Sequence, residues 1–504
     1  MHPADVIPVH ICMRRLADFP APTARRKSQA MADSKHALRW DDRRDHAAPP
    51  IRPAQRPTLC ACLLALLVPA ALLSALLAPL GLALTLVPLT LVFGLPLWLA
   101  SSLLLVYSLA AVPYLLFAQE DLSGPPALLL PLSPLKALRI VHSLFKQLLI
   151  LLRSSCIELV LDYSYRKIIV LGRNRAKPTI VRRGIVYAYA DHARARAKRL
   201  DVYLPPLADP QPATAPVLFF VHPGGWRWLD KDLFLQLGLR LRRLGFCVVI
   251  PDFTQFPEGR CHHSVRDIRC ALRWVARSIS EYGGDPDRIF VAGHGSGAHL
   301  ALLTVLESAI AQSLAEQEGC PSPLADGPEE EEALELPHVE GMVLLAGVYD
   351  PVAQMRAEAR KGWLDVSALR RALGPSHALA LANSPAHLLH AAQETLRPRH
   401  LPDKVLIIHG GQDRNVPILQ SHFLSTLLET VNRHAAEAFD AAHEADARLK
   451  EEDGPAQTSV RFVPLKDLDH LSALFALMLP DSTLAHQHQG YSKIIVEQIL
   501  SLVQ

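Results

Sequence analysis

Phe290-Val291-Ala292-Gly293-His294-Gly295-Ser296-Gly297-Ala298-His299-Leu300 carries a short apolar run through closely spaced glycines straight into a helical pattern. That succession is a strand–turn–helix elbow. In the G-x-S-x-G form of such an elbow the serine stands two residues from each glycine. Gly293 and Gly297 keep that spacing around position 295, and position 295 is Gly. Ser296 stands one place later, with His294 and Ala298 at the two-residue distance. A step of one residue at the start of a helix turns the side chain by about 100°. The Ser296 hydroxyl then either meets a base in a remodelled turn or caps its helix. Both readings stay open.

Outward from the elbow, short β-rich runs alternate with helical stretches. The candidate strands are Gly184–Ala188, Arg199–Pro205, Val217–His222, Cys247–Phe253, Ile289–Gly293, Gly341–Gly347, Val405–His409 and Val460–Pro464. Several are almost wholly apolar, as strands covered on both faces are. Helical periodicity marks Asp230–Leu244, Ser264–Tyr282, Ala298–Gln312, Ile418–Arg433 and Tyr491–Val503. Strands alternating with helices give a mostly parallel sheet. The expected architecture is an eight-stranded α/β-hydrolase fold over residues 181–504. Residues 351–400 fall between two core strands and are expected as a lid, with insertions at 316–336 and 435–459.

Acyl transfer on such a sheet requires a nucleophile, a histidine base, a carboxylate to orient it, and N–H groups aimed at the oxyanion. The turn His222-Pro223-Gly224-Gly225-Trp226 follows a candidate strand directly. Pro223 has no N–H, so Gly224 and Gly225 are the oxyanion donors. Asp413 follows Ile408-His409-Gly410-Gly411-Gln412, which places its carboxylate at the carboxyl edge of the sheet, where ligands bind. His470, shortly after the last strand, is the candidate base. Ser296, Asp413 and His470 are the candidate catalytic set, with Gly293, Gly295 and Gly297 framing the elbow.

The N-terminal third differs. Residues 1–56 hold 11 Lys/Arg and 6 Asp/Glu without apolar periodicity, the composition of a disordered basic segment. From Pro57 to Gln119 there are 63 residues without Asp, Glu, Lys, Arg or His. About 20 apolar residues span a bilayer, so two or three passes fit. Breaks near Ala78-Pro79-Leu80-Gly81 and between Thr85 and Thr90 point to a helical hairpin. Arg39, Arg43, Arg44, Arg52 and Arg56 before the run place the N-terminus in the cytosol. Two passes then return the hydrolase domain to the cytosolic face of an endomembrane such as the endoplasmic reticulum, whereas three place it in the lumen. Residues 120–180 are linker helices, either on the membrane surface or simply connecting.

Composition removes other classes. The net charge of +3 gives no field for nucleic acid, and mean hydropathy is +0.16, high for a wholly soluble protein. Eight cysteines show no C-x-x-C spacing, so neither a metal nor a redox centre is expected. The apolar segment has no ionisable residue to line a transport path.

Between Arg199 and His470 the chain resembles the membrane-bound isoprenylcysteine methylesterases, and more loosely kynurenine formamidases and the hormone-sensitive-lipase group. The residues that carry it are Leu200–Pro205, His222–Trp226, Pro251-Asp252-Phe253 with Phe256–Gly259, Tyr282–Ile289 and Gly297–Leu300. The resemblance implies serine-dependent ester or amide hydrolysis without a cofactor. Asp413 and His470 match its acid and base; Gly295 stands at its nucleophile position and Pro223 at its first oxyanion glycine. Two functions follow: a membrane-anchored esterase for a lipophilic ester, with Ser296 as a displaced nucleophile, or a silent hydrolase fold that binds a lipid or a partner at the bilayer.

Overall fold

The computed structural model describes residues 57–504 except 119–128, 152–153, 172–176, 189–196, 207–213, 319–335, 375, 446–455 and 480–489. The basic segment 1–56, most of the 316–336 insertion and part of 435–459 lie outside the described residues.

Eight strands form one sheet: β1 (Val181–Ala188), β2 (Lys198–Tyr203), β3 (Ala215–Val221), β4 (Cys247–Pro251), β5 (Gly284–His294), β6 (Gly341–Leu345), β7 (Lys404–Gly410) and β8 (Ser459–Leu465). Their order is β1-β2-β4-β3-β5-β6-β7-β8. β2 runs antiparallel to both neighbours, and every pair from β4 through β8 is parallel. Each expected strand is present, displaced at its ends by a few residues.

The central strands are apolar on both sides because two layers cover them. Val217, Phe219 and Val221 of β3 enter one core, while Leu218 and Phe220 enter the other. The same alternation divides Ile289 and Val291 from Phe290 and Ala292 on β5. Each such side chain contributes about 1.5–3 kcal/mol on burial. Two such cores make the strands continuous hydrophobic runs.

Among the described residues the α-helices of five or more residues are α1 (Pro57–Thr85), α2 (Leu91–Pro113), α3 (Pro134–Leu151), α4 (Ser154–Tyr165), α5 (Leu235–Arg243), α6 (Cys261–Ser278), α7 (Ser296–Glu318), α8 (Pro351–Lys361), α9 (Leu369–Leu373), α10 (His377–Ala382), α11 (Pro385–Ala392), α12 (Leu419–Ala445), α13 (His470–Met478) and α14 (Tyr491–Val503). Chain order reverses beside β3, whose neighbours are β4 and β5. That switch point puts the turn after β3 next to the elbow after β5.

α1 and α2 form the N-terminal hairpin, and both are long and apolar enough to cross a membrane. α7 is also long and apolar enough, but it is buried inside the hydrolase fold. The break expected at Ala78–Gly81 is not there: α1 continues through Pro79 to Thr85, and the chain turns only at 86–90. A proline removes one helical hydrogen bond, and neighbouring structure keeps the helix going. The two helices pack through small residues. A Cβ on Gly81 would lie 2.6 Å from Trp98 N, and one on Gly94 would lie 2.6 Å from Thr85 N. Ser74, Ser101 and Ser108 are buried beside them.

Substitution Gly94→Val would separate the hairpin. Overpacking of this kind costs about 1–3 kcal/mol. Thermal unfolding of the full chain in detergent micelles should show a lowered midpoint for Gly94→Val and no change for Val92→Leu, whose side chain is exposed.

Candidate active site

The elbow closes on two forced glycines. A Cβ on Gly297 would lie 2.1 Å from Val221 O, and one on Gly293 would lie 2.7 Å from Ala298 N. Only bare backbone lets α7 start this close to β3 and β5. Gly295 is the apex, at φ +55°, and its N–H bonds Leu345 O at 2.9 Å. A Cβ placed on Gly295 would sit 3.2 Å from His470 Nε2. The imidazole therefore faces the position where a nucleophile belongs on this elbow, and that position carries no side chain.

The base and acid loops are joined to each other. A Cβ on Gly410 would meet Leu468 O at 2.0 Å, and Gln412 N bonds the same carbonyl at 3.0 Å. This brings His470 Nδ1 within 2.7 Å of Asp413 Oδ2. Nδ1–H donates to the carboxylate, which leaves Nε2 as an acceptor facing Gly295. Asp413 Oδ1 accepts from Asn415 N at 2.8 Å and Val416 N at 2.9 Å. His409 Nε2 lies 3.3 Å from Asp413 Oδ2, and His409 Nδ1 lies 2.7 Å from Ser421 Oγ. Burial raises the Asp413 pKa, but the charge of His470 and hydrogen bonds from His409 and His470 outweigh it, holding the carboxyl well below the usual range. Asp413 stays ionised and fixes the imidazole.

His294 does not flank an open turn at Ser296. It lies instead beneath the base: its ring centroid is 4.6 Å from that of His470, and its Nε2–H donates to His470 O at 2.9 Å. Burial first, then the neighbouring His470, lowers its pKa to about 3, so it remains neutral.

Ser296 turns the other way. Its Oγ accepts from Gly224 N at 3.1 Å and from Gly225 N at 2.9 Å. Among the described residues its side chain makes no hydrogen bond to His470. The donors expected for a substrate oxyanion thus converge on the hydroxyl expected to attack. The structure brings together all of Ser296, Asp413, His470, Gly224, Gly225, Gly293, Gly295 and Gly297, with Ser296 bound to the donors and His470 facing Gly295.

Sequence reasoning missed one supporting chain. Trp226 Nε1–H donates to His299 Nδ1 at 3.1 Å, and His299 Nε2–H donates to Asn383 O at 2.8 Å. It ties the donor turn through α7 to the segment expected as a lid. The residues of Trp226 and His299 lay within quoted motifs; their pairing depends on a contact between distant segments.

A base–acid pair at the carboxyl edge of this sheet, facing the apex of a strand–turn–helix elbow, is the arrangement of the α/β-hydrolase fold. Residues 200–428 match the BD-FAE family model. A probable isoprenylcysteine alpha-carbonyl methylesterase from Arabidopsis thaliana is 38% identical over 136 residues, 27% of this chain and 30% of the relative. Esterase LipQ from Mycobacterium tuberculosis is 29% identical over 265 residues, 50% of this chain and 57% of the relative. The chain spans under a third of the length of the first curated relatives it matches. Among solved structures, a Pyrobaculum calidifontis esterase aligns at TM-score 0.44 and 19% identity, covering 74% of this chain and 98% of that one.

The buried imidazoles set a pH dependence of stability. Burial lowers the pKa of His294 to about 3 and that of His299 to about 4, against about 6.5 unfolded. Between those values only the unfolded chain takes up the protons, so stability falls as pH drops from 6.5 towards 4. The slope is at most about 1.4 kcal/mol per pH unit for each ring. Denaturant midpoints in detergent should fall over that range, and His299→Gln should flatten the slope.

Proposed function

We propose that the chain is a membrane-anchored carboxylic-ester hydrolase for lipophilic esters in which His470 activates water rather than a seryl hydroxyl. The observation that carries this reading is the open position at Gly295 directly before His470 Nε2. α1 and α2 supply the anchor and hold the hydrolase domain at the bilayer. The esterase names among the relatives support the reaction class.

The steps follow from the geometry. A water beside Gly295 gives its proton to His470 Nε2 as its oxygen bonds the ester carbonyl carbon. Asp413 keeps its charge and stabilises the imidazolium. Ser296 Oγ accepts two N–H bonds from Gly224 and Gly225, which leaves its own O–H to donate to the carbonyl oxygen as negative charge develops. The tetrahedral species collapses, the C–O bond to the alcohol breaks, and His470 returns the proton to the leaving oxygen. Carboxylic acid and alcohol are released with no covalent intermediate. Turnover is slow by the standard of a complete triad, because general-base help supplies about 10²–10⁴-fold.

A second reading follows from the same Ser296 contact. If that hydroxyl stays on the two N–H groups, the site binds a lipophilic ligand without turning it over.

Three variants separate these readings with a long-chain p-nitrophenyl ester as substrate. The native chain should hydrolyse it, and His470→Ala should lose about 10²-fold or more. Ser296→Ala should keep activity within about 10-fold, since Gly224 N and Gly225 N then bond the substrate oxygen directly. Gly295→Ser should become labelled at residue 295 by a fluorophosphonate, to which the native chain is inert. Labelling of the native chain at Ser296 would establish a seryl nucleophile, and the absence of any His470-dependent turnover would leave the binding-only reading.

A further inference from the structure

The turn that holds Gly224 and Gly225 continues directly into an apolar, exposed strip. Trp228, Leu229 and Leu233 are 50%, 44% and 41% exposed. Gly224 O accepts from Arg227 N at 3.2 Å and Trp228 N at 2.8 Å, so donor turn and strip are one folded unit. The backbone is unusual here: Trp226 and Leu229 both have positive φ, 63° and 70°. Non-glycine residues held in that region cost of order 1–3 kcal/mol each and persist only where surrounding structure fixes them. Both are held through their carbonyls, Trp226 O accepting from Phe256 N at 2.9 Å and Leu229 O from Gln255 Nε2 at 2.8 Å, and between them Arg227 and Trp228 meet the end of the apolar hairpin.

Residues Tyr114–Ala118 extend α2 by one wide turn. Phe117 O accepts from Arg227 Nη1 at 3.2 Å and from Arg371 Nη1 at 2.6 Å. The Phe117 ring meets Trp228 edge to face at 5.2 Å, and the Arg227 guanidinium lies 5.0 Å from the Trp228 ring centroid. Below, Tyr114 donates to Asp365 at 3.0 Å, and Lys136 pairs with the same carboxylate. Leu116, on the same turn of α2, is 47% exposed. The strip therefore continues the apolar surface of a membrane-length helix, with aromatic and arginine side chains at the junction. Trp and Arg are suited to the boundary of headgroups and acyl chains, the ring in the apolar layer and the guanidinium in the polar one.

We propose that Trp228, Leu229 and Leu233 enter the bilayer leaflet in which α2 ends, so that the Gly224–Gly225 turn lies at the membrane boundary. The proposal rests on the membrane-anchored reading above. Its occupant is the phospholipid bilayer, chosen because the strip is continuous with α2 through Phe117.

The test is tryptophan quenching by brominated acyl chains in phosphatidylcholine vesicles carrying the full chain. Differences between native protein and Trp228→Phe isolate the Trp228 signal, and Trp98→Phe isolates a residue within α2. Phe preserves an aromatic ring at each position. The Trp228 signal should fall by roughly half when brominated lipid replaces ordinary lipid, consistent with burial of about 5–10 Å, and should resist aqueous iodide. Quenching of Trp98 by bromine together with quenching of Trp228 by iodide alone would overturn the proposal and leave the anchor intact. If bromine quenches neither residue, the membrane-anchored reading itself fails, and the proposal with it.

Discussion

The N–H groups of Gly224 and Gly225 converge on the hydroxyl of Ser296, and the imidazole of His470 converges on the bare apex at Gly295. These two facing arrangements have one cause. The side chain of residue 296 lies about 100° around the helix start from that of residue 295. One direction leads to the donor turn after β3, the other to the base after β8. A hydroxyl placed at 295 faces the base; placed at 296 it faces the donors. The chemistry available to the site turns on that single angular step.

The surrounding fold holds the step in place. Gly297 against Val221 O and Gly293 against Ala298 N leave α7 no room to rotate. Leu468 O, pressed against Gly410, keeps the base loop on the acid loop. His294 fills the space under His470 and bonds its carbonyl. A buried carboxylate with several hydrogen bonds is costly to assemble unless every partner is present, and Asp413 has all of its partners in position. The base and acid are thus as firmly organised as in a complete triad, while the third position is open.

Much of this was legible in the residues. The central apolar runs stand out because two-sided burial leaves no polar alternation, and Asp413 and His470 follow their strands with turn residues between. The hairpin was legible as a stretch without charge, although Pro79 misled on its break because helix continuity depends on neighbouring packing. The orientation of Ser296 was not legible. A glycine spacing gives the place of the apex, but the direction of the next side chain depends on where β3 and its turn lie, which is a contact across 71 and 72 residues of sequence. The Trp226–His299–Asn383 chain and the meeting of Arg227 with Phe117 were hidden for the same reason.

The claim at the centre is that no side-chain oxygen of this elbow becomes acylated. Rapid-quench intact-mass measurement during turnover of an activated ester reads this directly. The protein should keep its unmodified mass from the first turnover, and product should appear without a burst. An acyl adduct that forms within the first turnover and maps to Ser296 would contradict it.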